Sequence, residues 1–418
     1  MKKTVVNACI ITIGDELLIG QTIDTNSAWM AQELNKIGIW VRRRVAVGDV
    51  WDDIWQTLDT ESKEADIIFI TGGLGPTNDD ITKELLCKYF GGKMIVHKPS
   101  LAFIKEIFTK LKRPLLERNL KQAEVPDVCI VLPNKHGSAP GMWFEKEATI
   151  FIALPGVPYE MKGIMNDFII PQLPKHFELP YILHRTAFTA GMGESFIAER
   201  LIDFEASLPM HIKMAYLPNY GMVKLRLTTT GIEKSMLKEE LEKQFTHLKQ
   251  LVVDILVSDS AENLEIVLGQ LLKEKEKTVA TVESCTGGYI AHLLTSISGS
   301  STYFKGSVVC YANKVKENIL QVQSKTLLET GAVSEETVKE MLAGALDKMK
   351  TDYAIATSGI MGPTGGTDNK PVGTVWIGVG NKEKTAIKKF HFRFDRTRNI
   401  EMTAYTAMNM LRKFILEE

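Results

Sequence analysis

Two stretches of this chain place reactive side chains at turn-like spacing. The first is Val282-Glu283-Ser284-Cys285-Thr286-Gly287-Gly288, at the end of the apolar run Val279–Val282 and just ahead of Tyr289-Ile290-Ala291-His292-Leu293-Leu294. β-Branched residues, then hydroxyls, a thiol, two glycines and a helix-like run read as strand, tight turn and helix N-terminus. Free backbone N–H groups and the helix dipole at such an end favour an anion or a developing oxyanion. A nucleophile there resembles the elbow of serine hydrolases, although the pattern is not Gly-x-Ser-x-Gly. Ser284 and Cys285 are both candidates. A helix N-terminus lowers a thiol pKa, yet a free cysteine is more often a small buried filler. The plain alternative for the whole stretch is a structural turn. His292 and His391 lie outside any motif, which speaks against a Ser-His-Asp arrangement.

The second stretch is Thr71-Gly72-Gly73-Leu74-Gly75-Pro76-Thr77-Asn78-Asp79-Asp80-Ile81-Thr82. Its glycines let backbone approach a phosphate, and Asp79 and Asp80 could hold a bridging divalent cation. The competing expectation is a glycine turn with Asp80 capping a helix over Thr82–Tyr89. No Gly-Lys-Ser/Thr follows, so a P-loop is excluded. Pro76 and the acidic pair occupy the place where a Rossmann helix would begin. A third glycine-hydroxyl segment, Ser358–Gly366, also ends a strand. It shares a domain with Ser284, and ligand sites of open α/β sheets form beyond the carboxyl ends of strands.

The elements that must position these residues alternate. Val5–Ile13, Ile39–Val47 and Asp66–Ile70 read as strands around helices at Ala28–Ile37 and Trp51–Lys63, which predicts a parallel sheet with right-handed crossovers. Pro171, Pro174 and Pro180 break the pattern and mark a boundary. Then come a strand over Ile182–Ala190, two strands about the turn Pro218-Asn219-Tyr220-Gly221, and a charged helix over Lys234–Val252. The last region opens with a helix over Ala261–Lys273. It continues through strands at Phe304–Tyr311, Tyr353–Thr357 and Lys388–Phe394, with Ser334 capping the helix Glu335–Met349, and closes on a helix over Ile400–Ile415.

At 418 residues the chain is long enough for two or three domains, and its 44% apolar and 24% charged residues are ordinary for globular protein. Five scattered cysteines without a C-x-x-C spacing fit reduced thiols rather than a disulfide framework or zinc site. Met1-Lys2-Lys3 starts like a signal peptide, but Asp15 and Glu16 arrive too early. No run of about 18 apolar residues could span a bilayer. The expectation is a soluble, cytoplasmic protein. A net charge of −1 without a basic stripe weighs against direct nucleic-acid binding.

Gly14-Asp15-Glu16-Leu17, Asp24-Thr25-Asn26-Ser27 and Gly72–Thr82 resemble the molybdopterin-binding fold and, more closely, the N-terminal domain of the CinA (competence/damage-inducible protein A) family. The C-terminal region resembles that family's deamidase domain. The motifs are Glu283–Gly288, Tyr311-x-Asn313-x-x-Lys316, Gly331-Ala332-Val333-Ser334-Glu335, Ser358-Gly359-Ile360-x-Gly362-Pro363-x-Gly365-Gly366 and Lys370–Val375. The middle is similar to the family's KH-like module. Nucleic-acid-binding KH loops are basic, whereas Gly191-Met192-Gly193 runs into Glu194, so a spacer or dimer contact is expected there.

The resemblance implies an α/β protein with two doubly wound α/β domains joined by a small α+β KH-like module. The segments are residues 1–168, 169–256 and 257–418. It implies a bifunctional pyridine-nucleotide recycling hydrolase, usually a homodimer. One activity deamidates nicotinamide mononucleotide without a cofactor. Ser284 would be nucleophile and Lys316 base, assisted by Tyr311. Thr286, Gly287 and Gly288 would offer oxyanion donors. Asn313, Ser358, Gly362, Gly365, Gly366 and Arg396 would bind substrate, and Arg396 stands in Phe394-Asp395-Arg396 where the family often has Gly-Asp-Arg. Lys316 must be partly desolvated to act as a base, and Lys314 is its internal control. The other activity is hydrolysis of ADP-ribose to AMP and ribose 5-phosphate with magnesium, manganese or cobalt. Asp15, Asp79 and Asp80 would be metal and catalytic candidates, with Gly72, Gly73, Gly75 and Thr77 cradling phosphate. The alternatives are a non-catalytic regulatory protein tied to competence or DNA damage, and a molybdopterin-binding protein.

Overall fold

A computed structural model describes residues 6–77, 79–219, 221–260 and 262–418. The chain divides into two compact units, residues 1–183 with 230–237 and residues 184–229 with 238–418. None of the described helices is long and apolar enough to cross a membrane.

The first unit is built on a six-stranded sheet. Its order is Trp40–Val47, Asn7–Ile13, Ile67–Thr71, Thr149–Leu154, Gly141–Lys146, Ile130–Leu132. The first four are parallel, as the strand-helix alternation predicts, and the last two add an antiparallel edge. Alternation along the central strands sends Cys9, Ile11, Ile68 and Ile70 to one core with Ile54, Leu58, Leu85 and Leu86. Ile10, Ile67 and Phe69 go to the other, with Met30, Leu34, Met161 and Ile164. Both faces are therefore covered, which is why these strands read as near-continuous apolar runs.

Element ends differ from expectation where caps decide them. The first long helix is Thr25–Lys36, not Ala28–Ile37, because Asp24 accepts from Ser27 N–H at 2.9 Å. Pro171 and Pro174 do not break the chain: both lie in the helix Ile170–His176. The helical run is continuous from Pro158, passing through a π turn at Met165–Ile169 just ahead of Pro171. The break comes at Phe177, ahead of the strand Tyr181–Ala190.

The second unit holds two sheets. The strands Ile212–Asn219, Met222–Gly231, Tyr181–Ala190 and Leu256–Ser258 form the smaller; Tyr220, in the expected turn, lies outside the described residues. The larger runs Phe304–Val309, Val279–Glu283, Tyr353–Gly359, Thr374–Gly380, Thr385–His391, with the first three parallel and the last two antiparallel. The helix Glu335–Met349 covers one face, where Val338, Met341 and Leu342 pack on Val282, Ala354 and Ala356. Leu264–Glu274, Tyr289–Thr295 and Arg396–Leu416 cover the other. That second core is continuous with the smaller sheet, since Phe188, Ala190, Met222 and Val257 belong to the same cluster as Leu264, Leu268 and Met408. The fold is mixed α/β, as expected.

Candidate active site

The strand Val279–Glu283 is buried along its length and lies parallel to both neighbours. Ser284 to Gly288 turns at its carboxyl end. Gly287 and Gly288 have φ of +63° and +96°, a region that strains any residue with a Cβ. Ser284 N–H donates to the Thr357 carbonyl at 3.0 Å, tying the turn to the adjacent strand. From the opposite neighbour the chain passes through Cys310 and Tyr311 into the helix Asn313–Leu320. Lys316 sits in that helix with its Nζ 3.1 Å from Ser284 Oγ and donating to the Cys310 carbonyl at 2.7 Å.

Lys316 is 1% exposed. Burial pushes its pKa below the ordinary lysine value, toward the neutral amine that a base requires. Lys314, two residues away, is exposed. Cys285 is buried too, and burial pushes its thiol up to about 12. Desolvation leads that shift and favours the thiol over the thiolate.

Ser284, Tyr311, Asn313, Lys316, Ser358 and Arg396 line one cavity of about 180 Å³. Met361, Ala332 and Val333 supply its apolar wall; Ala332 and Val333 belong to the Gly331–Glu335 motif, whereas Met361 stands at the unassigned position of its own motif and gave no signal in the sequence. At the rim Arg396 donates to Tyr311 Oη at 2.9 Å and to the Gly362 carbonyl at 2.7 Å. Ser358 Oγ donates to the Ala332 carbonyl at 2.6 Å, steadying the opposite wall. Neither His292 nor His391 lines this cavity, and both are exposed.

Other expected site residues lie elsewhere. Thr286, Gly287 and Gly288 line a separate hollow with Tyr289 and His292. The Gly288 N–H expected for an oxyanion instead donates to Glu283 Oε2 at 3.1 Å, and Thr286 Oγ1 pairs with Thr357 Oγ1 at 2.8 Å. Gly365 and Gly366 are in an exposed loop and do not line the Ser284 cavity. A larger hollow of about 660 Å³, between the Met192–Glu194 turn and the start of the closing helix, contains neither Ser284 nor Lys316.

In the first unit the glycine loop forms as expected at the end of Ile67–Thr71. Gly72 and Gly73 have φ of +113° and +64°, and a Cβ on Gly72 would lie 2.1 Å from the Ile13 carbonyl oxygen. Asp80 does not cap the following helix, whose N-cap is Ile81. It accepts instead from the N–H groups of Gly75 and Thr77, each at 2.8 Å, and from the Thr77 hydroxyl. Asn78 lies outside the described residues. Asp15 and Asp49 exchange backbone-to-carboxylate bonds at 3.1 and 3.2 Å. Burial and the charges of Asp15, Glu16 and Asp79 raise the Asp49 pKa.

Among the described residues no three His, Cys, Asp or Glu side chains are grouped to hold a metal ion, and the Asp80 carboxylate is spent within its own loop. The loop fits a polar ligand better than a metal. Buried Asn26 Oδ1 and Thr82 Oγ1 have no hydrogen-bond partner. Thr82 adjoins Gly73, and Asn26 bonds Thr71 Oγ1 and the Gly156 carbonyl.

Comparison with known proteins agrees along the chain. Residues 261–415 match the model described as CinA C-terminal domain, residues 9–175 the probable molybdopterin binding domain, and residues 184–258 the damage-inducible protein CinA KH domain. The chain is 46% identical to a CinA-like protein of Cytophaga hutchinsonii, with 99% of each chain covered. It is 45% identical to a CinA-like protein of Flavobacterium psychrophilum, covering 98% of this chain and 99% of that one. The crystal structure of competence/damage inducible protein CihA from Agrobacterium tumefaciens aligns at 36% identity with a TM-score of 0.35, covering 36% of this chain and 92% of that one.

Proposed function

Because the chain belongs to the CinA family, we propose that its Ser284 site hydrolyses the amide of nicotinamide mononucleotide to nicotinate mononucleotide and ammonia. The observation that carries this is the 3.1 Å approach of a buried lysine amine to a serine hydroxyl at a cavity wall. Neutral Lys316 takes the Ser284 proton as Oγ attacks the amide carbon. The resulting ammonium returns that proton to the departing nitrogen, which leaves as ammonia, and an ester remains on Ser284. Lys316 then takes a proton from water as the water attacks the ester, and gives it back to Ser284 as the carboxylic acid leaves, which ionises to the carboxylate by releasing its proton to solvent. No histidine or metal is needed to balance these steps.

Cavity size supports an order of binding. At about 180 Å³ it is smaller than the roughly 300 Å³ at which pockets for whole ligands begin. The pyridine-carboxamide end would enter against Met361 and Val333. The ribose phosphate would stay at the mouth beside Arg396, whose planar guanidinium suits a phosphate.

For the glycine loop of the first unit, hydrolysis of ADP-ribose rests on the family resemblance alone. The test of the leading activity is product analysis. Wild-type protein given nicotinamide mononucleotide should release ammonia and nicotinate mononucleotide in equal amounts. Folded protein that releases neither would overturn the proposal.

A further inference from the structure

The residue before the nucleophile has a side chain the chemistry above does not use. Glu283 is 0% exposed. Its carboxylate folds back over the turn that follows it. Oε2 accepts from Gly288 N–H at 3.1 Å and Ile290 N–H at 3.0 Å. Oε1 accepts from Ala291 N–H at 2.9 Å and lies 3.1 Å from Thr281 Oγ1. A buried carboxylate is tolerated only when donors replace its water, and here three backbone N–H groups do so, with the Thr281 hydroxyl shared between Oε1 and Ser307 Oγ. The same bonds satisfy backbone donors at the start of the helix Tyr289–Thr295.

The main chain of Glu283 is engaged on the opposite side. Its carbonyl accepts from Cys310 N–H at 2.9 Å, and the Cys310 carbonyl is the one that holds Lys316 Nζ. One residue thus closes the Ser284–Gly288 turn through its side chain and registers the base through its backbone. We infer that Glu283 is a positioning residue for the Ser284–Lys316 pair, acting through the closed turn without touching substrate. This rests on the amide-hydrolase proposal for its kinetic consequence, though not for its geometry.

Glu283→Gln keeps size and shape but replaces one acceptor oxygen with an N–H₂ group, which faces N–H donors it cannot satisfy. The turn should loosen and Ser284 Oγ lose its alignment. Misplacement of about 1 Å can lower a rate about 100-fold, so kcat should fall by about that factor. KM should stay within about twofold, because Glu283 does not line the cavity. Leu272→Ala, in the same core but away from the site, is the control for destabilisation, and should lower Tm without lowering kcat at temperatures where both variants are folded. Amide hydrogen exchange at Gly288, Ile290 and Ala291 reads the brace independently of turnover and should accelerate in Glu283→Gln alone. If Glu283→Gln does not fold, Thr281→Val withdraws one donor and carries the same readouts at smaller amplitude. Unchanged protection of those amides, or a kcat within about threefold of wild type, overturns the inference. If wild-type protein releases no ammonia, the amide-hydrolase proposal fails by itself and the three amides alone decide whether the brace exists.

Discussion

Ser284 and Lys316 are 32 positions apart and meet because two parallel strands end side by side at the carboxyl end of the sheet. The glycine-hydroxyl turn marked Ser284 and Cys285 alike as nucleophile candidates, and the family resemblance chose Ser284. The base was not legible from the residues themselves, since a lysine at a helix start is ordinarily solvated; the family motif pointed to it, and burial is what separates it from exposed Lys314. A lowered lysine pKa has a definite kinetic sign. Activity should rise with pH as Lys316 loses its proton, along a limb centred below the ordinary lysine value of 10.5. Lys316→Arg stays protonated throughout and should be inactive across the profile. Stability has its own sign. Between the folded and unfolded pKa values the unfolded chain holds the proton that folded Lys316 has released, so this group makes unfolding harder as pH rises through that window. Urea titrations at several pH values, wild type against Lys316→Met, would show a pH slope that the variant lacks.

Among the elements, the closing helix matters most to the rim of the cavity. Apolar spacing predicted it from Ile400, but it begins at Arg396, because Asp395 accepts from Arg398 N–H at 3.0 Å and supplies an N-cap. Periodicity marks where a helix face is buried; the polar first turn has no such face and is fixed by its cap. That extra turn places Arg396 where it reaches Tyr311 and Gly362. Asp395→Ala should lower stability by about 1 kcal/mol, a usual loss for a cap. It should also raise KM for a phosphorylated substrate more than for the nucleoside amide, as Arg396 loses its anchor. Equal KM changes for the two would separate Arg396 from phosphate binding. The same limit applies at the turn. The turn and helix start were readable at Gly287-Gly288, but the glutamate that takes the Gly288 N–H contacts it only through the folded loop.

At the scale of the molecule, alternating strand and helix patterns were enough to anticipate mixed α/β architecture, and the antiparallel edges of both large sheets were not. Short edge strands such as Ile130–Leu132 carry too few residues for a period to register. The sharing of one core by Met222 and Leu268, on segments far apart in the chain, was equally invisible. Met222→Ala and Leu268→Ala should each cost roughly 2–5 kcal/mol and shift the same calorimetric transition; separate transitions would show that the shared core does not fold as one. A serine acting with a lysine is the centre of the proposed chemistry. Its direct test is the rate of ammonia release from nicotinamide mononucleotide by Ser284→Ala, Lys316→Ala and Cys285→Ala beside wild type. Losses on the order of 1,000-fold or more are expected for the first two, with Cys285→Ala within about tenfold of wild type. Activity that survives in Ser284→Ala and vanishes in Cys285→Ala would contradict it.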